Sequence, residues 1–134
     1  MKKCGKCVIC PFILEGKHIK KDTSNWNIVT KADCNTKNLV YLIQCNISKC
    51  NQRYIGETKN SIKDRMSDHI GYARTKKLDQ ATGSHFNKPG HSVANMQITI
   101  LEKMRTNETE YRKQREKILI RLFNTFYCGI NKQP

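Results

Sequence analysis

The sequence predicts an α/β (α+β) fold: a small three-stranded antiparallel sheet flanked by helices, preceded by a Cys-rich extension. Three observations predict it. Runs with strand character occupy residues 39–43, 54–57 and 96–100. Helical periodicity occupies about 61–75 and 107–123. Four of the seven cysteines fall within residues 1–37, whose apolar pieces are short.

Taken in order, residues 1–37 read as a loop-rich module that cannot bury a core unaided, and 38–134 as the main domain. Leu39-Val40-Tyr41-Leu42-Ile43 is a continuous apolar run, which suits a central strand covered on both faces. Polar residues 46–52 then turn the chain into Tyr54-Ile55-Gly56-Glu57, predicting an antiparallel hairpin that ends in the turn cluster Thr58-Lys59-Asn60. Ser61 with Asp64 matches a capping box, and Ile62, Met66, Ile70 and Ala73 recur at helical spacing. Gly and polar residues dominate 79–95, with a short helix near Thr82–Phe86. Met96, Ile98 and Ile100 alternate with polar residues as a third strand. In the last helix Tyr111, Ile118, Leu119 and Leu122 form the expected buried stripe, with Glu116 at its edge.

Lys plus Arg number 25 against 11 acidic residues, a net charge of +14. That excess points to a polyanion as partner, since neutralising phosphates releases condensed counterions. A ribosomal or membrane-surface protein carries the same signature. No run approaches the 18 or so apolar residues of a membrane span, and Met1-Lys2-Lys3-Cys4 does not open a secretory signal. These features predict an intracellular, nuclear chain whose reduced thiols ligate metal. A core of this size often needs such a staple.

Two sets have zinc spacing. Cys45 and Cys50 are separated by four intervening residues, and His85 and His91 follow the first long helix, giving a closed Cys₂His₂ set for structural Zn²⁺. A buried Cys pair with two surface His is the ordinary alternative. Cys4, Cys7, Cys10 and Cys34 form a second set, in which His18 is a possible substitute for one thiolate. Cys128 is then the odd thiol, expected to pack as a hydrophobe.

Tyr41 and Tyr54 on paired strands, Arg65 and His69 one turn apart, an isolated Glu116 and then Asn131 make an ordered constellation. Singly, each has an ordinary reading: strand packing for the phenols, solvated helix charge for Arg65, helical ion pairs with Lys113, Arg115 and Lys117 for Glu116. Together, over residues 38–131, they resemble the GIY-YIG nuclease family, with Leu39-Val40-Tyr41 in place of the first tripeptide and Tyr54-Ile55-Gly56 intact. The Cys45/Cys50 pair, Ser84-His85-Phe86-Asn87 and Gly90-His91-Ser92 are similar to the endonuclease domain of Penelope-like retroelements.

The resemblance implies a metal-dependent DNA endonuclease that hydrolyses a phosphodiester bond, nicking DNA to prime integration, with a reverse transcriptase domain elsewhere in the full-length protein. Glu116 would hold Mg²⁺ or Mn²⁺, a hard ion suited to one carboxylate plus phosphate. Arg65 would fork onto phosphate. Tyr41 would be the base or base relay, with His69 behind it and Tyr54 positioning water. A phenol of pKa about 10 would have to be lowered by nearby cations to act as a base. Gly56, Thr58 and Asn131 are assigned to support, and Lys63, Arg74 and Lys76, with Lys77, to DNA phosphates. A non-catalytic zinc nucleic-acid-binding module and a homing or repair nuclease are the competing readings.

Overall fold

The computed structural model describes residues 1–21 and 24–134. Strand β1 (His18–Lys21) pairs with β2 (Ser24–Asn27) as a hairpin, followed by β3 (Lys37–Cys45), β4 (Arg53–Ser61), α1 (Ile62–Arg74), α2 (Ala81–His85), β5 (Met96–Lys103) and α3 (Thr109–Phe123). The main sheet is antiparallel in the order β4-β3-β5. The predicted three-stranded sheet and its helices are present. The β1–β2 hairpin inside the supposedly loop-rich extension was not foreseen.

Strand β3 is central because both of its faces are apolar. Leu39, Tyr41, Ile43 and Cys45 alternate onto the face that packs with Ile62, Met66 and Ile70 of α1. Val40 and Leu42 point the other way, against Leu119 and Ile120 of α3. Side chains on β4 follow the same alternation. Its register puts Tyr54 and Gly56 opposite Ile43 and Tyr41 on the α1 face, whereas Ile55 joins the α3 face.

The two edges of the sheet are treated differently. Along β5, Leu14 donates its N–H to the Ile98 carbonyl at 2.8 Å beside an Ile13–Ile98 bridge, so the N-terminal segment continues the sheet. Ile9, Cys10, Ile13 and Cys34 enter the α1-side core, while Ile19, Ile28 and Trp26 pack on the α3 side. Trp26 also donates from Nε1 to the Leu101 carbonyl at 3.0 Å. The segment thus wraps the β5 edge from both faces, sharing the domain's core instead of building its own.

Three expectations need correction. Thr58, Lys59 and Asn60 belong to β4, not to a turn, because Ser61 ends the strand and caps α1 directly, accepting from Asp64 N–H at 3.1 Å. On α3, Tyr111, Ile118 and Leu122 are exposed, and the buried residues are Arg112, Leu119 and Ile120. The inward stripe therefore runs through Arg112, Glu116, Leu119, Ile120 and Phe123. Its upper half is polar, which disguised it in a hydrophobicity pattern. Cys128 is exposed, with Asn124 Nδ2 at 3.2 Å from its sulfur, and does not pack as a hydrophobe.

Candidate active site and metal centres

The site forms along the outer edge of β4, where an edge strand leaves every second N–H and C=O unpaired. The C-terminal segment and α3 satisfy them in turn. Ile130 N–H donates to the Arg53 carbonyl at 2.8 Å. The Asn131 amide takes Ile55 N–H at 2.8 Å and donates back to its carbonyl at 2.9 Å. The next outward group, Glu57 N–H, faces the Glu116 carboxylate and favours its charged form. So Asn131 and Glu116 occupy successive places on one strand edge. Tyr54, Glu116, Lys117, Asn131 and Lys132 line one groove there, and Arg65, Thr58, Lys59, Arg112 and Lys113 line a second beside it.

On the α1 face Tyr41 reaches across Gly56 toward this edge. A Cβ at position 56 would lie 2.3 Å from the Tyr41 hydroxyl, so only glycine admits the phenol. Arg65 Nε donates to that hydroxyl at 3.2 Å, and His69 Nε2 lies 2.8 Å from it. The opposite ring nitrogen of His69, Nδ1, is 2.6 Å from the Thr82 hydroxyl. Tyr54 stacks edge-on against His69 with ring centroids 5.4 Å apart, and its ring lies 6.3 Å from that of Tyr41. Both phenols are pushed up by burial, Tyr41 well above its usual value, with Tyr54 adding to that rise and Arg65 opposing it. The lowered phenol expected from nearby cations is not found, because loss of hydration outweighs the single guanidinium. His69 is held down to about 3, first by burial and then by Arg65, so its imidazole is neutral.

The α3 face is charged where the α1 face is not. Arg112 is buried, pairs with Glu57 and donates to the Asn38 side-chain oxygen at 3.0 Å. Glu116 is raised from the usual carboxylate value by burial and by the neighbouring Glu57 charge. Among the described residues it forms no helical ion pair, and Arg115 instead forks onto Glu102 at 2.6 and 2.7 Å. Such a half-buried carboxylate, facing a second acidic charge, fits a divalent cation: the ion would relieve a repulsion that Arg112, Lys113 and Lys117 offset only in part.

Of the other assigned residues, Thr58 is buried and accepts from Asn60 N–H at 3.0 Å, and Lys63 is half-buried on the first turn of α1. Arg74 and Lys76 are exposed at the far end of α1 and line neither groove, where Lys59, Lys113, Lys117 and Lys132 stand instead. At sequence level Thr82 marked only the start of a short helix, and Arg112 went unmentioned. A lone Thr in a Gly-rich loop and a basic residue on a charged helix carry no local signal.

Both Cys/His sets assemble, each with its ligand atoms within 4.8 Å of one another. In the first, Cys45 ends β3, Cys50 lies in the hairpin loop, His85 ends α2 and His91 follows it. His91 Nδ1 faces the Pro89 carbonyl at 3.2 Å, and its Nε2 is buried without a hydrogen-bond partner. That orphaned nitrogen is the mark of a ligand atom whose other nitrogen is held by a carbonyl. Burial, with Lys88 and His91, brings His85 down to about 4, the neutral form that metal requires. In the second set Cys10 sulfur lies 3.6, 3.5 and 3.7 Å from those of Cys4, Cys7 and Cys34. Four sulfurs around zinc at about 2.3 Å would stand about 3.8 Å apart, so the spacing fits a tetrahedral thiolate site. Gly5, at φ +85°, turns its N–H onto Cys10 at 3.2 Å. Hydrogen bonds from the backbone of Cys7 and Gly5 draw the Cys10 thiol down to about 6. His18 takes no part; it pairs with Asn27 at 3.0 Å on the exposed hairpin.

No curated protein sequence matches this chain. Among solved structures, the one titled "Structure of the Catalytic Domain of Homing Endonuclease I-TevI" is similar in fold, with a TM-score of 0.58 and 22% identity over 73% of this chain and 100% of that one. Residues 37–131 match the family model described as the GIY-YIG catalytic domain. That span holds the edge of β4 with both phenols, Arg65, His69, Glu116 and Asn131, and the chain belongs to the GIY-YIG family.

Proposed function

We propose that this nuclease domain is a metal-dependent DNA endonuclease that nicks a strand by hydrolysing a phosphodiester bond, in service of a Penelope-like retroelement's integration. The observation that carries the chemistry is the meeting, on one strand edge, of a strained carboxylate and a buried phenol–imidazole pair. Mg²⁺ or Mn²⁺ on Glu116 would neutralise charge building on phosphorus and acidify the attacking water.

The chain's own residues supply the rest. Tyr41 has no accessible surface, so of base and relay only the relay suits it, and the phenol at the groove is Tyr54. Water gives a proton to the Tyr54 oxygen, the Tyr54 proton passes to Tyr41, and the Tyr41 proton passes to His69 Nε2. Hydroxide then attacks phosphorus, the bond to the leaving sugar oxygen breaks, and that oxygen takes a proton from solvent. DNA assists this sequence: a phosphate on Arg65 cancels the one charge that adds to burial in holding His69 neutral. Lys117 and Lys132 on one side and Lys59 and Lys113 on the other give the strand a basic path.

The retroelement affiliation is supported by the Cys45/Cys50/His85/His91 cluster at the hairpin tip, and we assign Zn²⁺ to it and to the four N-terminal thiolates. On this reading residues 1–37 are a zinc-held module laid on the 38–134 catalytic domain, a reverse transcriptase accompanies it in the full protein, and the site of action is the nucleus. Supercoiled plasmid tests the nuclease assignment. Wild type should convert it to open circle with Mg²⁺ or Mn²⁺, while Glu116→Ala loses at least about 10³-fold in rate and still shifts duplex DNA in a gel. Equal nicking by Glu116→Ala would remove the carboxylate from the chemistry.

A further inference from the structure

We infer that Thr82 is a positioning residue for strand cleavage: its hydroxyl fixes the His69 tautomer that leaves Nε2 open to the Tyr41 proton. The inference rests on the nuclease reading above and adds a residue to it. Arg65 Nε donates to the Tyr41 oxygen at 3.2 Å, and a guanidinium has no lone pair with which to accept in return. The Tyr41 hydrogen is left for His69 Nε2 at 2.8 Å. A neutral imidazole that accepts at Nε2 carries its hydrogen on Nδ1. That hydrogen needs a buried acceptor, and the Thr82 oxygen stands 2.6 Å away. Thr82 is 1% exposed and His69 3%, so water does not replace either partner.

The hydroxyl is held where it is by main-chain packing. Gly83 presses on the Lys77 carbonyl so closely that a Cβ would lie 2.1 Å from it. Asn87 Nδ2 donates to the carbonyls of Ala73 on α1 and Gly83 on α2, at 2.9 and 2.7 Å, clasping the two helices together. His85, three residues beyond Thr82 on the same helix, belongs to the Cys₂His₂ cluster. Thr82 therefore sits on a short rigid bracket, not on a loop. Without its oxygen, Nδ1–H would be buried and unpaired, and the ring would move its hydrogen to Nε2, where it blocks the relay.

The test is Thr82→Val, which keeps the shape and removes the oxygen, beside Thr82→Ser, which restores it. In the full chain, ¹⁵N spectra of the imidazole should show His69 with its proton on Nδ1 in wild type and Thr82→Ser, and on Nε2 in Thr82→Val. Nicking kcat should fall on the order of 100-fold in Thr82→Val, with KM and DNA affinity within about twofold, and recover in Thr82→Ser. An Nε2–H tautomer in wild type overturns the inference, as does a Thr82→Val rate within about threefold of wild type. Should Thr82→Val not fold, the wild-type tautomer and the Thr82→Ser rate still decide. The spectra need no cleavage, so a protein that never nicks DNA sinks the nuclease reading without touching the tautomer result.

Discussion

The two edges of the sheet are built for opposite ends. The β5 edge is sealed: the N-terminal segment extends it at Ile98 and covers both faces through Ile13, Ile19 and Trp26. The β4 edge is dressed by the Ile130 N–H and by the side chains of Asn131 and Glu116, all from the C-terminal part of the chain, and it faces two grooves. An open strand edge is a liability that proteins normally cover. Here the cover on one side is structural, and on the other it includes Glu116, the carboxylate to which the proposed function gives the metal. The lesson is that Glu116 is set against the Glu57 backbone of β4 as well as carried by its helix.

If that contrast is sound, damage to the sealed edge should cost folding and spare chemistry. Cys34→Ser removes a buried ligand of the N-terminal cluster. It should lower zinc content from about two ions to about one and cost on the order of 5 kcal/mol of stability by denaturant titration, with nicking per folded molecule nearly unchanged. Nicking lost by a fully folded Cys34→Ser protein would erase the contrast.

The open edge should respond in both currencies. Arg112→Ala leaves Glu57 half-buried without its partner beside Glu116, and should cost about 3 kcal/mol. It should also weaken or misplace divalent-ion binding, measured as a shifted Mg²⁺ dependence of nicking. Loss of stability with an unmoved Mg²⁺ dependence would show that the pair is merely structural.

The smallest effect carries the clearest sign. Glu116 has a folded-state pKa raised above the usual carboxylate value, so its ionised form destabilises the DNA-free fold. Whatever stability the neutral acid lends is complete below the unfolded value, about 4.3, and is lost as pH rises through the folded one. Glu116→Gln should accordingly be more stable than wild type at pH 7, by about 1 kcal/mol or less, with the difference vanishing below pH of about 4. A Gln variant less stable at pH 7 would mean that Glu116 is there for the fold.

Much of this was legible in the sequence. An apolar run with no alternation announced a strand covered on both faces, and Ser61 with Asp64 marked the helix start correctly. The phenols, Gly56, Arg65 and His69 fall into one contact set because a two-residue period and a four-residue turn fix them in space. What was hidden depended on tertiary context. Strand β4 runs on through Thr58, Lys59 and Asn60 because its edge has only one neighbour to satisfy, so polar residues serve as well as apolar ones. The inward face of α3 was misread by one position because its upper half is polar: Arg112 is buried in an ion pair and Glu116 half-buried beside it. Thr82 gave no signal at all, since its role exists only through a histidine thirteen residues away.

Where a divalent ion settles is the most direct question to put to the molecule. Substoichiometric Mn²⁺ added to the DNA-free domain should broaden amide signals around Glu116 and Glu57 first, and Glu116→Ala should abolish that broadening. Broadening centred on Asp79, across the same groove, or a pattern unchanged in Glu116→Ala, would contradict the account.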